Sequence, residues 1–99
     1  MIQRIVLVKF KDDYANEASR TAAVEHTRQL FSGLPHVREF SVGTPSDEAS
    51  SAAWDLCIQA RFDDMDSIAA YGVQADHADY VQNYLNPRAA VKKAWNFQI

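Results

Sequence analysis

Residues 1–10 read MIQRIVLVKF, a run rich in Ile and Val that predicts a β-strand. Alternation puts Ile2, Arg4, Val6, Val8 and Phe10 on one face and Gln3, Ile5, Leu7 and Lys9 on the other. Both faces are apolar in the middle, so each needs a cover. The rest of the chain offers a cover for only one of them.

The cleanest alternation comes later, in Trp54 to Phe62 (WDLCIQARF). Trp54, Leu56, Ile58, Ala60 and Phe62 point one way; Asp55, Cys57, Gln59 and Arg61 point the other. Between these strands, residues from about 15 to 32 hold good helix formers. Their inward stripe is expected through Ala22 or Ala23, His26, Leu30 and Leu34, widened by Val24 and Phe31, with Gly33 and Pro35 as the stop. His36 to Val42 alternates as another strand, and Gly43 to Ala53 reads as a polar, mobile connection.

Past the Trp54 strand, Asp63 or Asp64 caps a helix that is interrupted at Gly72. A second segment is expected from about Asp76 to Leu85, and Asn86-Pro87 predicts one more short turn with Asn86 as its cap. Val91 to Ile99 closes as a strand with Val91, Lys93, Trp95, Phe97 and Ile99 on one face. The order β-α-β-β-α-β is the ferredoxin-like arrangement: an α+β fold with a four-stranded antiparallel sheet and helices on one face. At 99 residues the chain is one domain, residues 1–99.

A lone protomer of this design leaves Ile5, Leu7, Trp95 and Phe97 in water. The expected solution is a homodimer in which two open sheet faces meet as a dimeric α+β barrel. Ten basic residues are scattered and the net charge is −3, which argues against a nucleic-acid partner. No apolar run is long enough for a membrane span. A single cysteine, Cys57, and a first strand that begins without a leader pattern lead to the expectation of a cytoplasmic protein.

Four inward polar residues are candidates for chemistry. A break at Gly72 lets Tyr71 and His77 converge, which an unbroken helix would not. His77 in a first helical turn is held neutral by the helix dipole, the form a general base needs. Arg4 lies on the inward face with Val6 and Val8, a costly place for a charge unless it lines a wet pocket, pairs, or neutralises an acidic ligand. His26 is the fourth. Each has a plainer reading as a satisfied core residue. Val6, Val8 and Ile58, with Tyr80 and Tyr84 on the stripe of His77, are the other candidate ligand contacts between sheet and helices. Asp63, Asp64 and Asp66 lack the Gly and Glu of a calcium loop, and Asp76, His77 and Asp79 splay on a helix, so no metal is expected. No phosphate loop or nucleophile motif is present, and no cofactor is expected.

These residues also resemble a known family, the stress-responsive A/B barrel domain, one of the dimeric α+β barrels. The similar segments are Arg4 to Phe10, Gly33 to Val37, Phe40 to Gly43, Trp54-Asp55-Leu56, Arg61-Phe62, Tyr71 to His77 and Trp95-Asn96-Phe97. Members are functionally mixed. One relative, olivetolic acid cyclase, closes a polyketide ring with a tyrosine and a histidine six residues later. The resemblance therefore implies that His77 removes a proton next to a carbonyl and that Tyr71 orients or polarises the substrate. Two positions depart from the family pattern: Gln74-Ala75 replaces a His-Pro pair, and Arg4 replaces an early histidine.

Three classes of function follow: a small-molecule pocket protein, as carrier or cofactor-free cyclase- or isomerase-like enzyme for an apolar, aromatic or polyketide-like ligand; a non-catalytic structural or stress-linked dimer; and a monooxygenase of the dimeric barrels, cofactor-free or haem-dependent. The haem-degrading branch lacks its first-strand Asn. An RNA-recognition module is disfavoured because Asp55, Cys57 and Gln59 stand where stacking aromatics belong.

Overall fold

A computed structural model describes all residues, Met1–Ile99. Strand β1 (Ile2–Phe10) is followed by a short 3₁₀ turn (Asp12–Tyr14) and helix α1 (Glu17–Ser32). Next come β2 (Glu39–Gly43), α2 (Glu48–Ala53) and β3 (Leu56–Phe62). Helices α3 (Met65–Gly72) and α4 (Ala75–Tyr80) lead into a π turn (Val81–Leu85), a single turn α5 (Asn86–Arg88) and β4 (Ala89–Gln98). The sheet order is β2-β3-β1-β4 and every pairing is antiparallel, the ferredoxin-like arrangement the alternation predicts. No helix is long and apolar enough to cross a membrane.

The helix-facing side of the sheet is the core. Val6, Val8 and Phe10 of β1 and Leu56, Ile58, Ala60 and Phe62 of β3 are buried against Ala23, Phe31, Ile68, Tyr71 and Leu85. The opposite side stays open. Ile5 lies beside Trp95 and Gln3 beside Phe97, and Val91, Trp95, Phe97 and Ile99 are large exposed apolar groups.

Several local expectations need correction. The inward stripe of α1 is Ala23, Thr27 and Phe31 at i, i+4 and i+8; His26 and Ala22 lie outside it. Thr27 is tolerated there because its hydroxyl bonds the Tyr80 hydroxyl at 2.6 Å. Strand β2 starts three residues late because His36 takes the left-handed conformation, φ 75°, and turns the chain. The stretch expected to be a mobile connection contains α2, capped by Asp47, whose carboxylate accepts from Ser50 N at 2.7 Å.

Alternation also fails where β3 begins. Trp54 ends α2 and lines a hollow with Leu7 and Cys57 on the open side, while Asp55 turns inward and is fully buried. Its carboxylate accepts from Phe10 N (2.7 Å) and from Arg20 Nε and Nη2 (2.9 and 2.7 Å), with Lys9 Nζ at 3.1 Å. Burial alone would push this carboxyl up; the donors from Phe10, Arg20 and Lys9 outweigh it and hold it below the usual carboxylate range.

Candidate functional site

The segment from α3 to α5 is irregular in a way that builds a cavity. Asp64 caps α3, accepting from Ser67 N at 2.8 Å. The helix ends at Gly72, as expected, and Gln74 adopts an extended backbone that starts α4. Gln74 is the cap: its Oε1 accepts from His77 N at 2.9 Å, which makes His77 the third helical residue. The break swings His77 back onto Tyr71, with ring centroids 4.1 Å apart. Further on, Asn86 N–H reaches five residues back to the Val81 carbonyl, and Asn86 is helical rather than a cap. Pro87 has no N–H to continue an α-helical ladder, and the Arg88 side chain donates through Nη1 to the Tyr84 carbonyl at 2.9 Å.

Between this segment and the sheet lies a cavity of about 150 Å³. Arg4 and Val6 of β1, Ile58 of β3 and Phe31 of α1 form part of its wall. Tyr71, His77, Tyr80, Val81 and Leu85 contribute from the helical side, and Lys92 and Ala94 from β4. Of the sequence candidates, Arg4, Val6, Ile58, Tyr71, His77 and Tyr80 therefore meet in one place.

Three candidates do not line it. Val8 is fully buried packing. His26, at the rim of α1, stacks on Tyr84 with centroids 3.9 Å apart and planes 15° from parallel. The Arg88 guanidinium lies over the same Tyr84 ring at 3.9 Å, so both residues belong to an outer stack. Lys92, Ala94, Val81 and Leu85 are not among the sequence candidates, and Phe31 is expected there only as part of the inward stripe of α1. Lys92 and Ala94 were legible as the positions alternating with Val91, Lys93 and Trp95. The π turn that delivers Val81 and Leu85 leaves no such signal.

The polar groups of the cavity are poised in neutral or donating forms. Burial holds the His77 imidazole below its ordinary value; the Gly72 backbone opposes this, and the charges of Arg4 and Lys92 add to it. The imidazole is thus a free base at neutral pH. Burial pushes the Tyr71 phenol up against the lowering effect of Arg4, leaving a neutral O–H donor. Tyr80 is pushed up to about 12 by burial, with its Thr27 bond opposing, and its hydroxyl is committed to that bond. Two buried side-chain atoms in the whole chain have no hydrogen-bond partner, Arg4 Nε and His77 Nδ1. Both belong to residues of this cavity. Asp76, His77 and Asp79 do not form a cluster able to hold a metal ion.

Other hollows are more open. One of about 170 Å³ on the open sheet side is lined mainly by Gln3, Glu39, Ser41, Gln59 and Arg61, and none of these carries a buried unpartnered atom.

Comparison with known proteins agrees with this architecture. No curated protein matches the chain in sequence. Among solved structures, a family protein from Mesorhizobium loti with a ferredoxin-like fold is similar with a TM-score of 0.83 and 13% identity, over 99% of this chain and 95% of the other. A dimeric ferredoxin-like protein of unknown function from Thermobifida fusca has a TM-score of 0.77 and 22% identity, over 99% and 90%. The hydroxynitrile lyase of Passiflora edulis has a TM-score of 0.78 and 13% identity, over 99% and 92%. At such identities the likeness is one of fold. The model of the stress responsive A/B barrel domain matches residues 2–92, nearly the whole chain, and the protein belongs to that family.

Proposed function

We propose that the chain binds a small, mostly apolar molecule in the cavity between sheet and helices, and that His77 acts there as a general base on a C–H next to a carbonyl. The observation that carries this reading is the coincidence of Arg4 Nε and His77 Nδ1, both buried and unpartnered, around one apolar cavity. A buried polar atom without a partner costs about 1–3 kcal/mol; a ligand oxygen can accept from Arg4 Nε, while His77, as the unprotonated base, is left to take the proton of the ligand's C–H. Tyr71, as a neutral phenol beside His77, is suited to donate to that oxygen and stabilise the charge that develops on it.

The volume limits the ligand. A cavity of about 150 Å³ takes a single ring or a short branched chain. A polyketide chain would protrude from it.

Phenylacetaldehyde in deuterium oxide provides the test. The protein should speed exchange of the protons beside the carbonyl, followed by proton NMR. His77→Ala should abolish the acceleration and Tyr71→Phe should weaken it. If wild type and His77→Ala exchange at one rate while both still bind the compound, the chain is a carrier and not a base catalyst.

We also propose that the working form is a homodimer joined through the open sheet sides. The exposed row of Val91, Trp95, Phe97 and Ile99 supports this, as do dimeric proteins among the structural neighbours. The cavity lies on the other side of the sheet, so pairing leaves its wall unchanged.

A further inference from the structure

The geometry points to a singly charged anion as the ligand of this cavity, its carboxylate lying between Arg4 and Lys92 and its apolar body against Phe31, Ile58 and Leu85. The inference rests on the pocket reading above and adds the chemical class. Two cations, Arg4 and Lys92, border the cavity, and no Asp or Glu does. Neither has a carboxylate anywhere: the ion pairs of the chain are Lys9–Asp55, Arg20–Asp55, Arg38–Asp63 and Arg61–Glu39. Their side-chain partners are neutral amides. Arg4 Nη1 donates to Asn96 Oδ1 at 3.0 Å, and Lys92 Nζ to Asn86 Oδ1 at 2.9 Å.

An amide accepts a hydrogen bond without cancelling a charge, so two like charges face one apolar space uncompensated. Repulsion from Arg4, added to burial, lowers the affinity of Lys92 for its proton. His77, held neutral by burial and by these same two cations, neither adds to their charge nor offsets it. The chain as a whole is acidic, with a net charge of −3, which makes this local excess of positive charge a property of the cavity. A carboxylate is the group that relieves it. One oxygen can accept from Arg4 Nε, the donor left without a partner, and the other faces the ammonium of Lys92. Lys92 is exposed and sits on the edge strand, which places the charged end at the mouth and the apolar end inside.

Benzoate and benzamide have the same shape and differ in charge, which makes them the probes. Binding to the full chain is measured by calorimetry and by the NMR shifts of the His77 ring. Benzoate should bind about tenfold or more tightly than benzamide, the margin expected of charge-assisted over neutral hydrogen bonds. That margin should shrink as salt is raised. Arg4→Gln and Lys92→Gln should each weaken benzoate more than benzamide and so bring the two together; Lys92, on an exposed edge strand, is the substitution that spares the fold.

Equal binding of the two probes overturns the anion and keeps the pocket. Absence of both, with His77 resonances unmoved, overturns the pocket and the anion together. A benzoate preference that survives Ala94→Phe, which fills the cavity, places the anion elsewhere and also overturns the inference.

Discussion

Replacing Trp95 with Thr should dissociate the proposed dimer while leaving the protomer folded. Thr is a good strand former, and the indole is 47% exposed in the protomer, so it contributes little to the core. Phe97, beside it along the face, is 52% exposed. Taking about 250 Å² for a free Trp and about 200 Å² for a free Phe, the exposed parts are roughly 120 and 100 Å². At about 25 cal/mol per Å², covering them is worth roughly 3 and 2.5 kcal/mol. A twofold interface contains each residue twice, so the two indoles together have an upper limit of about 6 kcal/mol. If half of that area is covered on pairing, Trp95→Thr removes about 3 kcal/mol, roughly a hundredfold in Kd. Sedimentation over about 1–100 μM protein covers a Kd in the micromolar range. Wild type should run at the mass of two chains and the variant at the mass of one, with unchanged far-ultraviolet circular dichroism. A wild type that stays monomeric at the highest concentration would refute the reasoning, as would a variant that pairs as tightly as wild type.

The other expectations concern the protomer. Asp55→Asn removes the charge that Arg20 and Lys9 share in a buried setting and should cost about 3 kcal/mol or more in urea unfolding. Because the folded Asp55 carboxyl lies below its unfolded value, its contribution is complete above the unfolded carboxylate range and is lost as pH falls through the folded value; Asp55→Asn should flatten the acid limb of a stability–pH curve. His77 acts in a higher window. Its folded value also lies below its unfolded one, so wild type should lose stability as pH falls below about 6.5, and His77→Gln should not show that loss. His36→Gly removes the left-handed strain and should raise stability by about 0.5–1 kcal/mol, against a decrease if φ 75° is relieved by contacts of the ring.

Strand and helix order were legible because period-2 runs such as Leu56–Phe62 and MIQRIVLVKF are set by burial of one face, and burial is what the fold obeys. What sequence did not reveal came from single contacts that override the pattern. Asp55 turns inward because three donors wait for it, and a fully satisfied carboxylate can stand where alternation expects a solvated one. Position 26 was misassigned because Ala22, Ala23, Val24 and His26 permit two helical stripes; the Thr27–Tyr80 hydrogen bond selects one of them. Gly72 stands at the break the sequence suggests, but the conformational freedom of glycine is not what makes it. It has no positive φ, and a Cβ there would meet nothing within 4 Å. The break is made by the extended backbone and capping side chain of Gln74.

The candidate site is where departures from regular structure gather. A fold shaped by packing alone would continue α3 into α4, keep α-helical turns through residues 81–85, and put an aliphatic residue at position 4. This chain does none of these. The break after Gly72 turns His77 onto Tyr71, the π turn brings Val81 and Leu85 into the helical wall, and Arg4, with its unpartnered Nε, stands in the sheet wall of the same cavity. Each departure carries a cost in a 99-residue domain with little stability to spare. Three unrelated costs that converge on one cavity are hard to derive from stability and are what the proposed ligand site would account for. Compensation elsewhere is visible: Asp55 ties the end of β1 to α1 and to the start of β3, outside the cavity wall. Substituting Asp55 should therefore weaken the fold without changing the order of preference among ligands, whereas Arg4→Gln should change that order at little expense in stability.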